Sequence, residues 1–138
     1  MNPSERDRFD KLVESVLEEL PKALLELLEE VPLLVEDCPS PAILHQLGCA
    51  ADEICGLHNG VMLTERSLED LPELPERIHL FRAGILAIAG GWTPWQDDDG
   101  TPMGGMDVIR EEIRITILHE IGHHFGLDEE DLEQLGFA

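Results

Sequence analysis

The sequence predicts an α+β domain: a small mixed sheet packed against one long helix near the C-terminus, with further helices at the N-terminus. Three observations carry that prediction. From Asp107 to Phe125 the only glycine or proline is Gly122, and apolar residues recur at Val108, Ile109, Ile113, Ile115, Ile117, Leu118, Ile121 and Phe125, as a half-buried helix requires. Upstream, Arg77-Ile78-His79-Leu80-Phe81 alternates with Ile78 and Leu80 on one face, the period of a strand. The opening residues carry a second helical stripe, Phe9, Leu12, Val13, Val16, Leu17 and Leu20, with charges on the opposite face. The chain of 138 residues suits a single domain, 1–138.

In chain order, Ser4 reads as the N-cap of the first helix. Pro21 ends that helix or opens the next, whose Leu24, Leu25, Leu27 and Leu28 continue the stripe to Val31. Both helices read as a scaffold for one face of the sheet. Pro32 to Glu36 is a short strand, stopped by Asp37-Cys38-Pro39-Ser40-Pro41, and Ala42 to Cys55 is a loose helix weakened by Gly48. Leu57 to Thr64 sets an Asn59-Gly60 turn between apolar pairs, a hairpin signal. Ser67 to Pro75 is an acidic loop, and Arg82 to Ala89 a short apolar helix. Gly90 to Gly105 has the composition of a loop, long enough to be either a mobile flap over a functional site or a tolerated insertion. Of these, the insertion is the plainer reading.

Composition narrows the function. Hydrophobic residues make up 43% of the chain, enough for one core built from aliphatic side chains, since aromatics are 4% and tyrosine is absent. Nine basic against thirty acidic residues give a formal charge of −21. Phosphates would be repelled, which argues against nucleic acid and anionic membranes as partners and leaves basic peptides as compatible ones. No apolar run reaches membrane-spanning length, and the polar start, Met1 to Arg8, lacks a signal core, so a cytoplasmic location is expected. Cys38, Cys49 and Cys55 show no C-x-x-C spacing and read as small buried thiols in a reduced protein.

The chemistry concentrates in Ile117-Leu118-His119-Glu120-Ile121-Gly122-His123-His124-Phe125-Gly126. H-E-x-x-H on a helix offers two imidazoles to one zinc ion, because residues four apart share a face. Glu120 follows about a quarter-turn away, where its carboxylate can reach the water that the metal activates. A catalytic zinc takes three protein ligands, and little chain follows His123. Gly126 can end the helix at positive φ and turn the chain back, which brings Glu129, six residues after His123, into reach. The metal ligands expected are therefore His119, His123 and Glu129. Asp128 remains the alternative third ligand, although it also suits the N-cap of a last helix, Glu129 to Leu135, paired with Asp131. His124 lies about 100° round the helix from His123 and points elsewhere. His45 and His58 read as ordinary surface or partly buried residues. His79 would face the site if its strand were the sheet edge beside the cleft, and solvent otherwise.

The full pattern, H-E-x-x-H-x-x-G-x-x-E, resembles the metzincin arrangement with Glu129 in the third-ligand place. More closely, Thr116 to Leu132 is similar to a bacterial family of small zincin-like metallopeptidases with an acidic third position, and Gly56 to Ser67 and Arg77 to Arg82 fall where that family has its hairpin region and strand. The resemblance implies a minimal zincin-like α+β fold and zinc-dependent hydrolysis of peptide bonds, with a peptide or protein as substrate and Glu120 as general base. Two departures stand out: no methionine follows Met106 to form a Met-turn, and the nine residues after Glu129 cannot build the lower subdomain of the larger enzymes. A catalytically silent zinc-binding interaction domain is the main competing function. A metal-dependent endoribonuclease with H-x-x-x-H-x-x-x-x-x-H shares the ligand spacing, but Glu120 and the acidic charge count against it.

Overall fold

Helix α1 spans Pro3–Glu19 in the computed structural model, which describes residues 1–58 and 77–134, with the backbone alone at Leu57, His58 and Glu129. Its cap is Asn2 rather than Ser4. The Asn2 side chain accepts from the Glu5 N–H at 2.8 Å, and Pro3, at the first helical position, loses nothing by having no N–H to donate. The helix stops at Leu20, and α2, Lys22–Glu30, starts after Pro21.

Strand β1, Leu33–Glu36, leads to α3, Pro41–Leu47. The latter is shorter than the predicted Ala42–Cys55, because Gly48 adopts the left-handed conformation (φ 68°) and closes the helix there. Strand β2, Gly56–His58, follows; the predicted Asn59-Gly60 turn and the Ser67–Pro75 loop lie outside the described residues. Strand β3, Ile78–Phe81, runs directly into α4, Arg82–Ala89, both close to expectation. The sheet has the order β1-β3-β2, with β1 parallel and β2 antiparallel to β3, so it is mixed as predicted. Among the described residues β3 is the central strand. The condition under which His79 would face the site, an edge position for its strand, is not met, since β3 is paired on both sides.

The long helix α5, Met106–Phe125, is the hub. Ile109, Ile113, Ile117 and Ile121 repeat every four residues and are fully buried, a ridge against which the other elements pack. One side meets β2 and β3 through Ile78 and Leu80; α1, α2 and α4 pack along the others, bringing Phe9, Val16, Leu24 and Ile85 into the same core. The N-terminal helices therefore brace the long helix rather than covering the sheet directly. Burying each such side chain stabilises the fold by about 1.5–3 kcal/mol. Gly84 lets α4 lie against the chain before β2, since a Cβ there would collide with the Ile54 carbonyl.

Charges tie the periphery to this core. Arg82, at the start of α4, donates to Asp10 of α1 at 2.9–3.1 Å and to Asp37, just after β1, at 3.0 Å. Arg6 donates to Asp37 as well, at 2.6 Å. The Arg6 hydrogen bond holds the Asp37 carboxyl below its ordinary value against the opposing effect of burial, with Arg82 assisting.

The Gly90–Gly105 segment is ordered, not a featureless loop. It folds as a two-stranded ribbon, β4 (Trp95–Gln96) paired with β5 (Pro102–Met103), around a turn in which Asp97 accepts from the Asp99 and Thr101 N–H groups at 2.9 Å. Gly104 donates to the Ala89 carbonyl at 2.7 Å, Gly105 to Gly91 at 3.0 Å, and the Trp95 indole to Gly90 at 2.8 Å. The ribbon thus clasps the end of α4 to the start of α5. Thirteen residues of helix, about 20 Å, separate Met106 from His119. The ribbon is a clasp at the far end of α5 rather than a cover over the motif.

The cysteines are free thiols, but not the buried ones expected: Cys38 is exposed, and Cys49 and Cys55 are half-buried. No helix among the described residues is long and apolar enough to cross a membrane.

Candidate active site and metal centre

The motif occupies the last turns of α5. His119 and His123, four residues apart, project from one face with their rings stacked, centroids 6.4 Å apart and planes 20° from parallel. Both are exposed. Glu120, one residue on, turns the other way and is 7% exposed. It lies beneath the sheet edge beside Thr116, one helical turn earlier. Gly56 of β2 allows this close approach, for a Cβ there would lie 2.8 Å from Thr116 Cγ2 and 2.9 Å from Glu120 Cγ.

The Glu120 carboxyl is therefore enclosed between helix and strand. Its Oε2 is buried with no hydrogen-bond partner among the described residues. Water can no longer solvate the anion, and burial pushes the carboxyl up to about 7. Cys55, beside Gly56, feels the same environment: burial raises its thiol, and the negative charges of Glu112 and Glu120 add to the effect. A buried carboxyl without a partner among the described residues is costly and uncommon.

The chain leaves the helix by a tight turn that two glycines permit. Gly126 takes φ 68° and Leu127 donates back to the Gly122 carbonyl at 2.7 Å. A Cβ on Gly122 would lie 3.0 Å from the Leu127 carbonyl oxygen, so the turn can press flat against the helix. Helix α6, Glu129–Gln134, then returns along α5 and buries Leu132. Its start is the expected reciprocal cap: Asp128 accepts from the Asp131 N–H at 2.8 Å and its own N–H donates to Asp131 at 3.0 Å. Asp128 is thus engaged in holding the turn. Glu129 is the first residue of α6, and its side chain lies outside the described residues.

His45 and His79 lie apart from the motif. His45 is exposed on α3. His58 has only its backbone described. His79 is neither solvent-facing nor at the site: its side chain is 12% exposed and its Nδ1 lies 2.7 Å from Glu36. Strand alternation puts it on the sheet face opposite Ile78 and Leu80, which pack toward α5.

No cluster of three or more potential metal-binding side chains forms among the described residues. The donors in place nevertheless suit zinc: the two imidazoles of His119 and His123 share one exposed helix face. Sequence reasoning anticipated His119, Glu120, His123 and Gly126, but missed Gly56, Thr116 and Cys55 around the Glu120 carboxyl, and the part played by Gly122. An isolated glycine opening a strand was the available signal for Gly56.

No curated protein matches the chain. A family model described as zincin-like metallopeptidase matches residues 28–137, which takes in every element from the end of α2 onward. With H-E-x-x-H on the helix that bears the core and an α+β fold around it, the chain belongs to the zincin-like metallopeptidase family.

Proposed function

We propose that the protein is a zinc-dependent peptidase that hydrolyses peptide bonds in a peptide or protein substrate, with His119, His123 and Glu129 holding the metal and Glu120 acting as general base. Family membership supports the class, and one observation supports the mechanism: an enclosed Glu120 carboxyl, without a partner among the described residues, on the same helix whose exposed face carries His119 and His123. Zinc held by these residues would supply Lewis acidity toward a water and the scissile carbonyl. The chain's own part is proton handling. With its carboxyl near 7, Glu120 accepts a proton at Oε2 from the attacking water and returns it to the leaving amine nitrogen, a transfer that works best when the base is matched to ambient pH. Gly56 and Thr116 hold that carboxyl against the sheet edge and restrict water around it. The turn at Gly126 carries Glu129 back toward His123, while Asp128 and Asp131 fix the start of α6. We also take residues 1–138 as one domain, because α1, outside the family match, contributes Phe9, Val13 and Val16 to the shared core.

The test joins metal content to cleavage of a peptide library. Glu120→Gln keeps zinc and lowers turnover by about 10²–10⁴-fold, the size of a general-base contribution. Full activity in that variant overturns the mechanism. Glu129→Ala loses zinc where Asp128→Ala keeps it; the reverse result reassigns the third ligand. Stoichiometric zinc in a wild-type protein that cleaves nothing would identify a zinc-binding interaction domain instead.

A further inference from the structure

Away from the motif, the ribbon end of the molecule carries an unusual surface. Four large hydrophobic side chains are prominently exposed among the described residues, and three of them, Ile88 (54%), Trp95 (48%) and Met106 (53%), lie on the segments that the ribbon joins: the end of α4, β4 and the start of α5. The backbone enforces this. Gly104 donates to Ala89, so Ile88 and Met106 stand within two residues of the same hydrogen bond. The Trp95 ring lies over both glycines flanking it, for a Cβ on Gly90 would lie 3.0 Å from its Nε1 and one on Gly104 3.1 Å from its Cδ1. Single exposed apolar residues are ordinary on a soluble surface, whereas three brought together mark a contact site.

The segment that carries this patch is acidic. From Ala83 to Ile109 there is no Lys, Arg or His, and Asp97, Asp98, Asp99 and Asp107 fall in that interval. Asp98 and Asp99 are exposed at the ribbon turn; Asp97 is partly taken up by the turn's own N–H groups. Arg8 of α1 is a nearby cation, but it stacks on Trp92 at 4.5 Å and leaves Trp95 uncovered. An apolar patch rimmed by carboxylates suits a segment that presents an apolar anchor between basic side chains. A second copy of the chain is disfavoured, since each carries a formal charge of −21 and the rims would repel.

We propose that Ile88, Trp95 and Met106, with Asp98 and Asp99 at their rim, form a docking surface for a basic, apolar-anchored segment of a partner protein. This surface lies about 20 Å of helix from His119 and does not depend on the catalytic reading. The tryptophan supplies the rigid anchor typical of contact energy, and the carboxylates supply steering and selection of sign.

Three twelve-residue probe peptides test it on the full-length protein by fluorescence anisotropy: alternating Lys and Leu, alternating Glu and Leu, and alternating Lys and Ser. The Lys/Leu peptide binds at least tenfold tighter than either of the others. Trp95→Ala, and separately the double variant Ile88→Ser with Met106→Ser, weaken it about tenfold or more; the second variant covers the case in which losing the Trp95–Gly90 hydrogen bond loosens the ribbon. Asp98→Asn with Asp99→Asn weakens it about threefold and flattens its salt dependence. Glu26→Gln with Glu29→Gln, on α2, leaves it unchanged. Equal binding of the Lys/Ser peptide, an undiminished affinity in the Ile88/Met106 variant, or equal weakening by the α2 variant would overturn the proposal. So would sedimentation showing that Ile88→Ser with Met106→Ser dissolves a dimer without altering peptide affinity, which would make a second copy the occupant.

Discussion

Arg82 and Glu120 are buried to almost the same depth, 8% and 7% exposed, and the fold treats them in opposite ways. Arg82 meets two carboxylates, Asp10 and Asp37, at hydrogen-bond distance, and Arg6 balances the second of them. Nothing comparable is supplied to Glu120, whose Oε2 is sealed between α5 and the sheet edge without a partner among the described residues. A charge that is buried and paired joins elements together; a charge that is buried and unpaired costs stability and is tolerated where reactivity requires it. The difference separates a structural joint from an enclosed, unpartnered acid without reference to any motif.

Removing each group tests that contrast. Arg82→Ala should produce the largest stability loss, about 3 kcal/mol, because it removes the cation that ties Asp10 of α1 and Asp37 after β1 to α4, leaving Asp37 with Arg6. Urea unfolding would measure it. A loss below about 0.5 kcal/mol would mean that the cluster is a surface decoration and would erase the comparison.

Glu120→Gln should act in the opposite direction in the metal-free protein, and only above a definable pH. The folded carboxyl sits near 7 against an ordinary value of 4.5, so folding favours the protonated form. Wild type and variant therefore match most closely below about pH 4.5, and wild type loses ground as pH rises from there to 7. The full gap, about 2 kcal/mol in favour of Gln after allowance for its own buried amide, is present above pH 7. Parallel stability profiles from pH 4 to 8 would show that the carboxyl is solvated in solution.

A smaller effect, about 1 kcal/mol, is expected for Asp37→Asn, with the reverse pH trend. The Asp37 carboxyl is held below its ordinary value of 3.8, so its contribution is complete above that pH and fades as acid protonates it. Wild type and variant should differ at pH 7 and converge as the pH falls below 3.8. A difference that persists undiminished in acid would assign the contribution to shape rather than charge.

Much of the architecture was legible from local pattern. The repeat at Ile109, Ile113, Ile117 and Ile121 marks both a helix and its buried face, and α4 was read at its observed bounds, Arg82–Ala89, from an apolar run ending in Gly90. The caps divide instructively. Asp128 with Asp131 was correctly read because the partners are three residues apart, whereas Asn2 was passed over for Ser4 because a proline at the first helical position admits either neighbour as cap. The ribbon between Gly90 and Gly105 was missed for a related reason: its strands are two residues each, too short to show alternation, and its hydrogen bonds run to the ends of α4 and α5.

What the sequence determined by itself is the chemistry on offer and the helix that presents it: spacing alone puts His119 and His123 on one face, and Gly126 alone permits the turn toward Glu129. Tertiary structure decided the state of those groups. Glu120 is enclosed because Gly56, sixty-four residues earlier, lets a strand come close over it, and β3 is a central strand because β1 pairs with it from the other side. Periodicity is a property of neighbours along the chain, whereas burial without a partner depends on which distant segment arrives to displace water, and no local pattern records that.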